Sequence, residues 1–148
     1  MMAGRLTRAS VRLMDRVARL LLRPEVGPAT RTTGVRGEGE AYFFLRAQGY
    51  VMVARNYRTR TQKGEIDLIG WDGDTLCFVE VKTRTTRAVK PAEAAVDHAK
   101  QRNVQRVAAE YLRRMAGSPS WRFDVVSVYA ESGSSPEITV FRNAFPVA

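Results

Sequence analysis

The chain has 148 residues, 45% of them hydrophobic, enough for one domain with a real core and too few for two comfortable ones. A formal charge of +9 predicts attraction to polyanions, nucleic acid first and an anionic membrane second. Cys77 and His98 are the only residues of their kinds, which excludes an intramolecular disulfide and a cysteine-rich zinc site and argues against a Ser/His/Asp triad. The lone cysteine fits a reducing cytoplasm, and no run reaches the apolar length of a membrane span.

In the N-terminal segment Arg5, Arg8, Arg12, Arg16, Arg19 and Arg23 recur every three or four residues, with Leu6, Leu13, Val17 and Leu20 beside them, the pattern of a basic amphipathic helix. Residues 1 to 36 hold eight arginines against two acids, so most of the excess charge lies there. Pro24 to Pro28 should stop this helix, and the Thr/Arg/Gly stretch to Gly34 reads as a linker. A nucleic-acid arm, a membrane-surface helix formed by residues 1–23, an organellar presequence and a solvated tail are the readings of this extension. The division expected is an extension over 1–35 and a folded domain over 36–148.

From Glu38 to Gln48 the pattern predicts a helix ended by Gly49, and Tyr50 to Tyr57 a strand. Arg55, Arg58, Arg60 and Lys63 follow in or near the next loop, and Arg55, Asn56 and Arg58 are candidate nucleic-acid contacts against the plainer reading of a solvated loop. Two further strands, Glu65–Trp71 and Thr75–Lys82, flank the Asp-Gly signal of a tight hairpin at Asp72-Gly73-Asp74. Pro91 to Met115 reads as a long helix buried along Ala95, Val96, Ala99, Val104, Val107, Ala108 and Leu112. Trp121 to Tyr129 reads as a strand covered on both faces, and Ile138 to Phe141 as a short last strand.

The hairpin carries the chemistry. Side chains alternate along a strand, so Glu80 and Lys82 share a face, and register decides where Asp67 falls. With Asp72-Gly73 as the loop, Asp67 lies diagonal to Glu80; with Gly73-Asp74, directly opposite. Either register brings the two carboxylates within roughly 5–8 Å. Two buried carboxylates repel unless they share a proton or a cation. Oxygen ligands in that number suit magnesium, and Lys82 would position the attacking water or stabilise charge on a phosphate. An ordinary Glu80–Lys82 salt bridge is the competing reading.

Several motifs in order carry a resemblance: Gly37-Glu38 with Ala41 and Leu45, Gly49-Tyr50, Arg55-Asn56 with Arg58, Gly64-Glu65-Ile66-Asp67-Leu68-Ile69, Phe78-Val79-Glu80-Val81-Lys82-Thr83-Arg84 and Arg122-Phe123-Asp124-Val125. Over about residues 36 to 129 the chain resembles the YraN family, small bacterial proteins of restriction-endonuclease-like fold, and its layout is similar to archaeal Holliday-junction resolvases. The resemblance implies an α/β fold with a central mixed β-sheet flanked by helices, in the order αβββαβ. It implies a catalytic set of Glu38, Asp67, Glu80 and Lys82. Asp67, Glu80 and the Val81 carbonyl would hold Mg2+, with Mn2+ as a substitute, and Glu38 would reach the ion directly or through water. Arg84, Lys100 and Gln101 join Arg55, Asn56 and Arg58 as candidate nucleic-acid contacts. Ala88-Val89-Lys90-Pro91 departs from the aromatic-Gly turn frequent in the family.

The activity implied is a metal-dependent endonuclease for structured or branched DNA in repair or recombination, as a homodimer if two strands are cut. The alternative is a non-catalytic nucleic-acid or ribonucleoprotein binding module that keeps the nuclease fold.

Overall fold

A computed structural model of the protein describes residues 29–85 and 98–146. The order is α1 (Ala29–Ala47), β1 (Val51–Tyr57), β2 (Ile66–Asp72), β3 (Thr75–Arg84), α2 (His98–Arg113), β4 (Ser120–Tyr129) and β5 (Glu137–Phe145). The strands form one sheet in sequence order. Neighbours are antiparallel except β3 and β4, whose parallel pairing α2 makes possible by returning the chain to the same end. This is the restriction-endonuclease-like α/β core expected, with β5, foreseen as a short last strand, following the αβββαβ order.

β3 occupies the centre and is buried on both faces. Leu76 and Phe78 join Ile69, Phe123, Val125 and the α2 residues Val104, Val107 and Ala108 in one core. Cys77, Val79 and Val81 join Leu68, Val126, Val128 and the α1 residues Ala41, Tyr42 and Leu45 in the other. Period-two alternation therefore puts Glu80 and Lys82 on the α2 side.

Three expectations need correction. The segment from Ala29 to Gly34, expected as linker, is helical, because α1 runs through Gly34, Gly37 and Gly39. Each glycine disfavours a helix by about 1 kcal/mol, which is why the sequence pattern appears only at Glu38. Gly37 has a packing reason: a Cβ there would lie 2.8 Å from Thr83 Cβ and closer still to Thr83 Oγ1, so only glycine lets α1 approach β3 this closely. The helix ends as predicted. Gly49, at φ 95°, donates to Arg46 O, and Tyr50 donates to Leu45 O, the paired bonds of a Schellman cap.

The last strand is nine residues long rather than four. It continues because Asn143, at φ 52°, donates its N–H to Asp124 Oδ1 at 2.9 Å, and Phe145 stacks on Phe123 with ring centroids 4.5 Å apart. In α2, Ala99 is exposed instead of buried, while Leu112 packs against the core as expected. Pro91 to Asp97, with Ala95 and Val96, lies outside the described residues, as do the residue 88–91 departure and the N-terminal arginine stripe. No described helix is long and apolar enough to cross a membrane.

Candidate functional site

Asp72 pairs with Thr75, so the hairpin loop is Gly73-Asp74, with Gly73 at φ 59°. Of the two registers, this is the one that places Asp67 opposite Glu80. The β2–β3 ladder reaches Leu68↔Val79. Beyond it, the Val81 N–H donates to Asp67 Oδ2 at 2.7 Å, so a side chain takes the place of a ladder carbonyl. The strands splay where the carboxylates meet.

Both acids are withdrawn from water, Asp67 being 5% and Glu80 2% exposed. Burial and then the Glu80 charge push the Asp67 carboxyl up to about 7, against the Val81 hydrogen bond and the Lys100 ammonium. Glu80 Oε1 accepts from Lys100 Nζ and lies 3.1 Å from Lys82 Nζ. Among the described residues, Glu80 Oε2 is buried with no hydrogen-bond partner. Burial alone would lower the Lys100 pKa, but its bond to Glu80 outweighs that and raises it.

Glu38 arrives from α1 on the other side. Its carboxyl is raised, first by burial and next by the Glu65 charge, while Arg55 and a hydrogen bond from the Asn56 side chain oppose the rise and Glu80 adds to it. Asn56, expected on nucleic acid, has its side chain engaged with Glu38, and Arg55 lies over the Tyr42 ring at 4.8 Å. Consecutive strand residues ordinarily point to opposite faces, yet Arg55 and Asn56 both meet α1, and Tyr57 then reaches Tyr111 of α2 at 5.0 Å. The left-handed φ of 47° at Asn56 suspends the alternation. An Asn next to the strand's last residue was the available signal, since Asn tolerates that conformation better than most residues.

Arg58 is exposed and bonded through Nε to Glu65 Oε2 at 2.7 Å. Arg84 continues the Glu80–Lys82 row at the end of β3, and Gln101 follows Lys100 in the first turn of α2. His98 is exposed, as a surface residue should be.

The sequence reading missed a second polar cluster, on the α1 face of the sheet. Arg122 Nε donates to Asp124 Oδ1 at 2.8 Å, and its Nη2 to Asp72 Oδ2 at 2.7 Å and Tyr50 Oη at 3.1 Å, joining β4, β2 and the turn between α1 and β1. Its partners raise the Arg122 pKa despite burial. Burial pushes the neighbouring Cys77 thiol up to about 12, so it is an inert core group.

The oxygen donors fit a hard cation. Glu80 Oε2 has no other partner, Asp67 stands across from it, and the Val81 carbonyl faces the same edge as its amide in an extended strand. Among the described residues no group of three or more His, Cys, Asp or Glu side chains could hold a metal. The protein would therefore supply two carboxylates and a carbonyl, with waters or phosphate completing the shell, which is the habit of Mg2+ and not of zinc.

Comparison with known proteins fixes the relationship. The family model described as uncharacterised protein family UPF0102 matches residues 37–128. The chain belongs to that family, also called YraN. A UPF0102 protein of Koribacter versatilis is 51% identical over 139 residues, covering 94% of each chain. Another from Solibacter usitatus is 47% identical over 112 residues, covering 74% of this chain and 82% of its own. A UPF0102 protein of Symbiobacterium thermophilum is 45% identical over 117 residues, covering 78% and 98%. The Koribacter match is too long to exclude residues 1–28, so its similarity includes part of the arginine-bearing segment.

Proposed function

We propose that this UPF0102 protein is a metal-dependent endonuclease acting on structured or branched DNA in repair or recombination. The observation that carries the reading is the buried Asp67–Glu80 pair, one of whose oxygens, Glu80 Oε2, lacks a partner, set beside Lys82 and Lys100 at the splayed end of two central strands. Asp67, Glu80 and the Val81 carbonyl would hold Mg2+ or Mn2+, and Glu38, held by Asn56, would act through water at the same centre. A divalent cation there supplies Lewis-acid activation of phosphate and of water. Lys82, with 23% of its side chain exposed, would orient the attacking water and balance charge developing on the phosphate.

The test is Mg2+- and Mn2+-dependent cleavage of labelled single-stranded, duplex, flap and four-way-junction DNA, with Asp67→Asn and Glu80→Gln purified alongside. Cutting by the wild type and not by either variant supports the reading. Equal cutting by all three overturns it. Paired cuts across a junction would further require a homodimer, checked by light scattering with the substrate bound.

One observation favours a second reading, a non-catalytic nucleic-acid or ribonucleoprotein binding module. Lys82 and Lys100 already neutralise Glu80, and a protonated Asp67 can sit beside it without a cation. That module would bind with steep salt dependence and indifference to Mg2+.

A further inference from the structure

The structure assigns a second binding site next to the carboxylates: a cleft that takes one unpaired nucleotide and reads its base through Gln62 and Asn103. The assignment rests on the nucleic-acid reading above and narrows the substrate to strands that offer a base outside a duplex. The cleft has a volume of about 720 Å3 and lies between the loop of residues 58–65 and the first turns of α2. That is within the roughly 300–1,000 Å3 of small-ligand sites.

Its walls are set by the chain itself. Thr61 Oγ1 donates to Glu110 Oε2 at 2.5 Å, the Gln62 N–H donates to Thr59 Oγ1 at 3.0 Å, and Arg58 is bonded to Glu65, so the loop is fastened to α2 and to itself. Gly64 has φ 104°, and a Cβ there would sit 3.1 Å from Asn103 Cβ; glycine brings the loop up to the helix at the residue proposed to read the base. Lys100 lines the cleft and also bonds Glu80, so the cleft and the candidate centre share one lysine.

The lining chemistry selects the ligand. Arg58 and Lys100 suit a phosphate, with Glu65 offsetting part of their charge. Gln62 and Asn103 each offer a donor and an acceptor on one planar group, the match for the edge of a nucleobase. Ala99 and Val104 add apolar surface for the face of a base. No aromatic side chain is among the described residues lining the cleft, so the base is recognised by its edge rather than by stacking. A base in a duplex has its pairing edge engaged and cannot enter.

The test is fluorescence anisotropy of the full chain with a labelled single strand, the matching duplex and an abasic strand of equal length. EDTA in the buffer removes any need for cleavage. Gln62→Ala and Asn103→Ala should each weaken single-strand binding roughly tenfold. Duplex binding should stay unchanged, and the abasic strand should bind wild type and variants alike. Equal losses on all three ligands, or no loss on the single strand, would overturn the assignment. If the expected pattern holds but no DNA is cut under any condition, the hydrolytic reading falls and the nucleotide site stands. If Asp67-dependent cutting is found without the pattern, only the nucleotide site falls.

Discussion

Asp67 Oδ2 and the Val81 amide are joined by a 2.7 Å hydrogen bond that spans the gap between β2 and β3. The bond ties one candidate ligand to the backbone beside the other, so Asp67 and Glu80 cannot separate without breaking the sheet end. Asparagine can accept the same bond through its Oδ1. Asp67→Asn should therefore keep the fold while losing the charge, and thermal melting should show a Tm at or above that of wild type.

The same carboxyl sets a pH dependence in the metal-free protein. Its folded pKa of about 7 lies above the ordinary 3.8, so between about pH 4 and 7 the native state holds a proton that the unfolded chain has released. The Asp67 contribution to stability is thus fully present below about pH 4, declines as pH rises and is gone above about 7. Urea denaturation across that range in EDTA should show the decline, and Asp67→Asn should remove this part of it.

Asn56 separates backbone from side-chain effects. Its φ of 47° disfavours alanine, whereas glycine adopts it freely. Asn56→Ala should lose about 1–2 kcal/mol more stability than Asn56→Gly in urea denaturation. If Glu38 acts at the centre, both variants should lower its activity alike, since both remove the bond that holds it.

Gly37 and Thr83 should show coupling. Gly37→Ala drives a methyl into Thr83 and should cost about 1–3 kcal/mol. Thr83→Ala removes the nearest atoms and should recover part of that loss, a non-additivity measured by a double-mutant cycle.

On the α1 face of the sheet, Asp124 is 1% exposed and holds Arg122. Asp124→Ala leaves that guanidinium with Asp72 and Tyr50 only and should destabilise by about 3 kcal/mol, read by chemical denaturation. Cleavage chemistry on the α2 face should not respond once stability is matched.

Much of this was legible because two local rules sufficed. Alternation put Glu80 and Lys82 on one face, and the Asp-Gly signal limited Asp67 to two registers, both close to Glu80. Choosing between them was beyond the sequence, because Asp72-Gly73 and Gly73-Asp74 are both good turn chemistry. What stayed hidden depends on contacts distant in the chain. Three glycines concealed the first turns of α1, whose compensation at Gly37 is a contact with Thr83. The second half of β5 follows from Asp124 capturing Asn143, and the redirection of Asn56 from Glu38. The family resemblance supplied Glu38, which spacing alone did not.

β3, hydrogen-bonded to β2 on one edge and β4 on the other, sits at the middle of the five strands. Its amides can exchange with solvent only when the sheet as a whole opens, so the strand bearing Glu80 should be among the slowest-exchanging parts of the chain. Whatever the centre binds meets carboxylates already set at their spacing, and ligand recognition then spends little on ordering them.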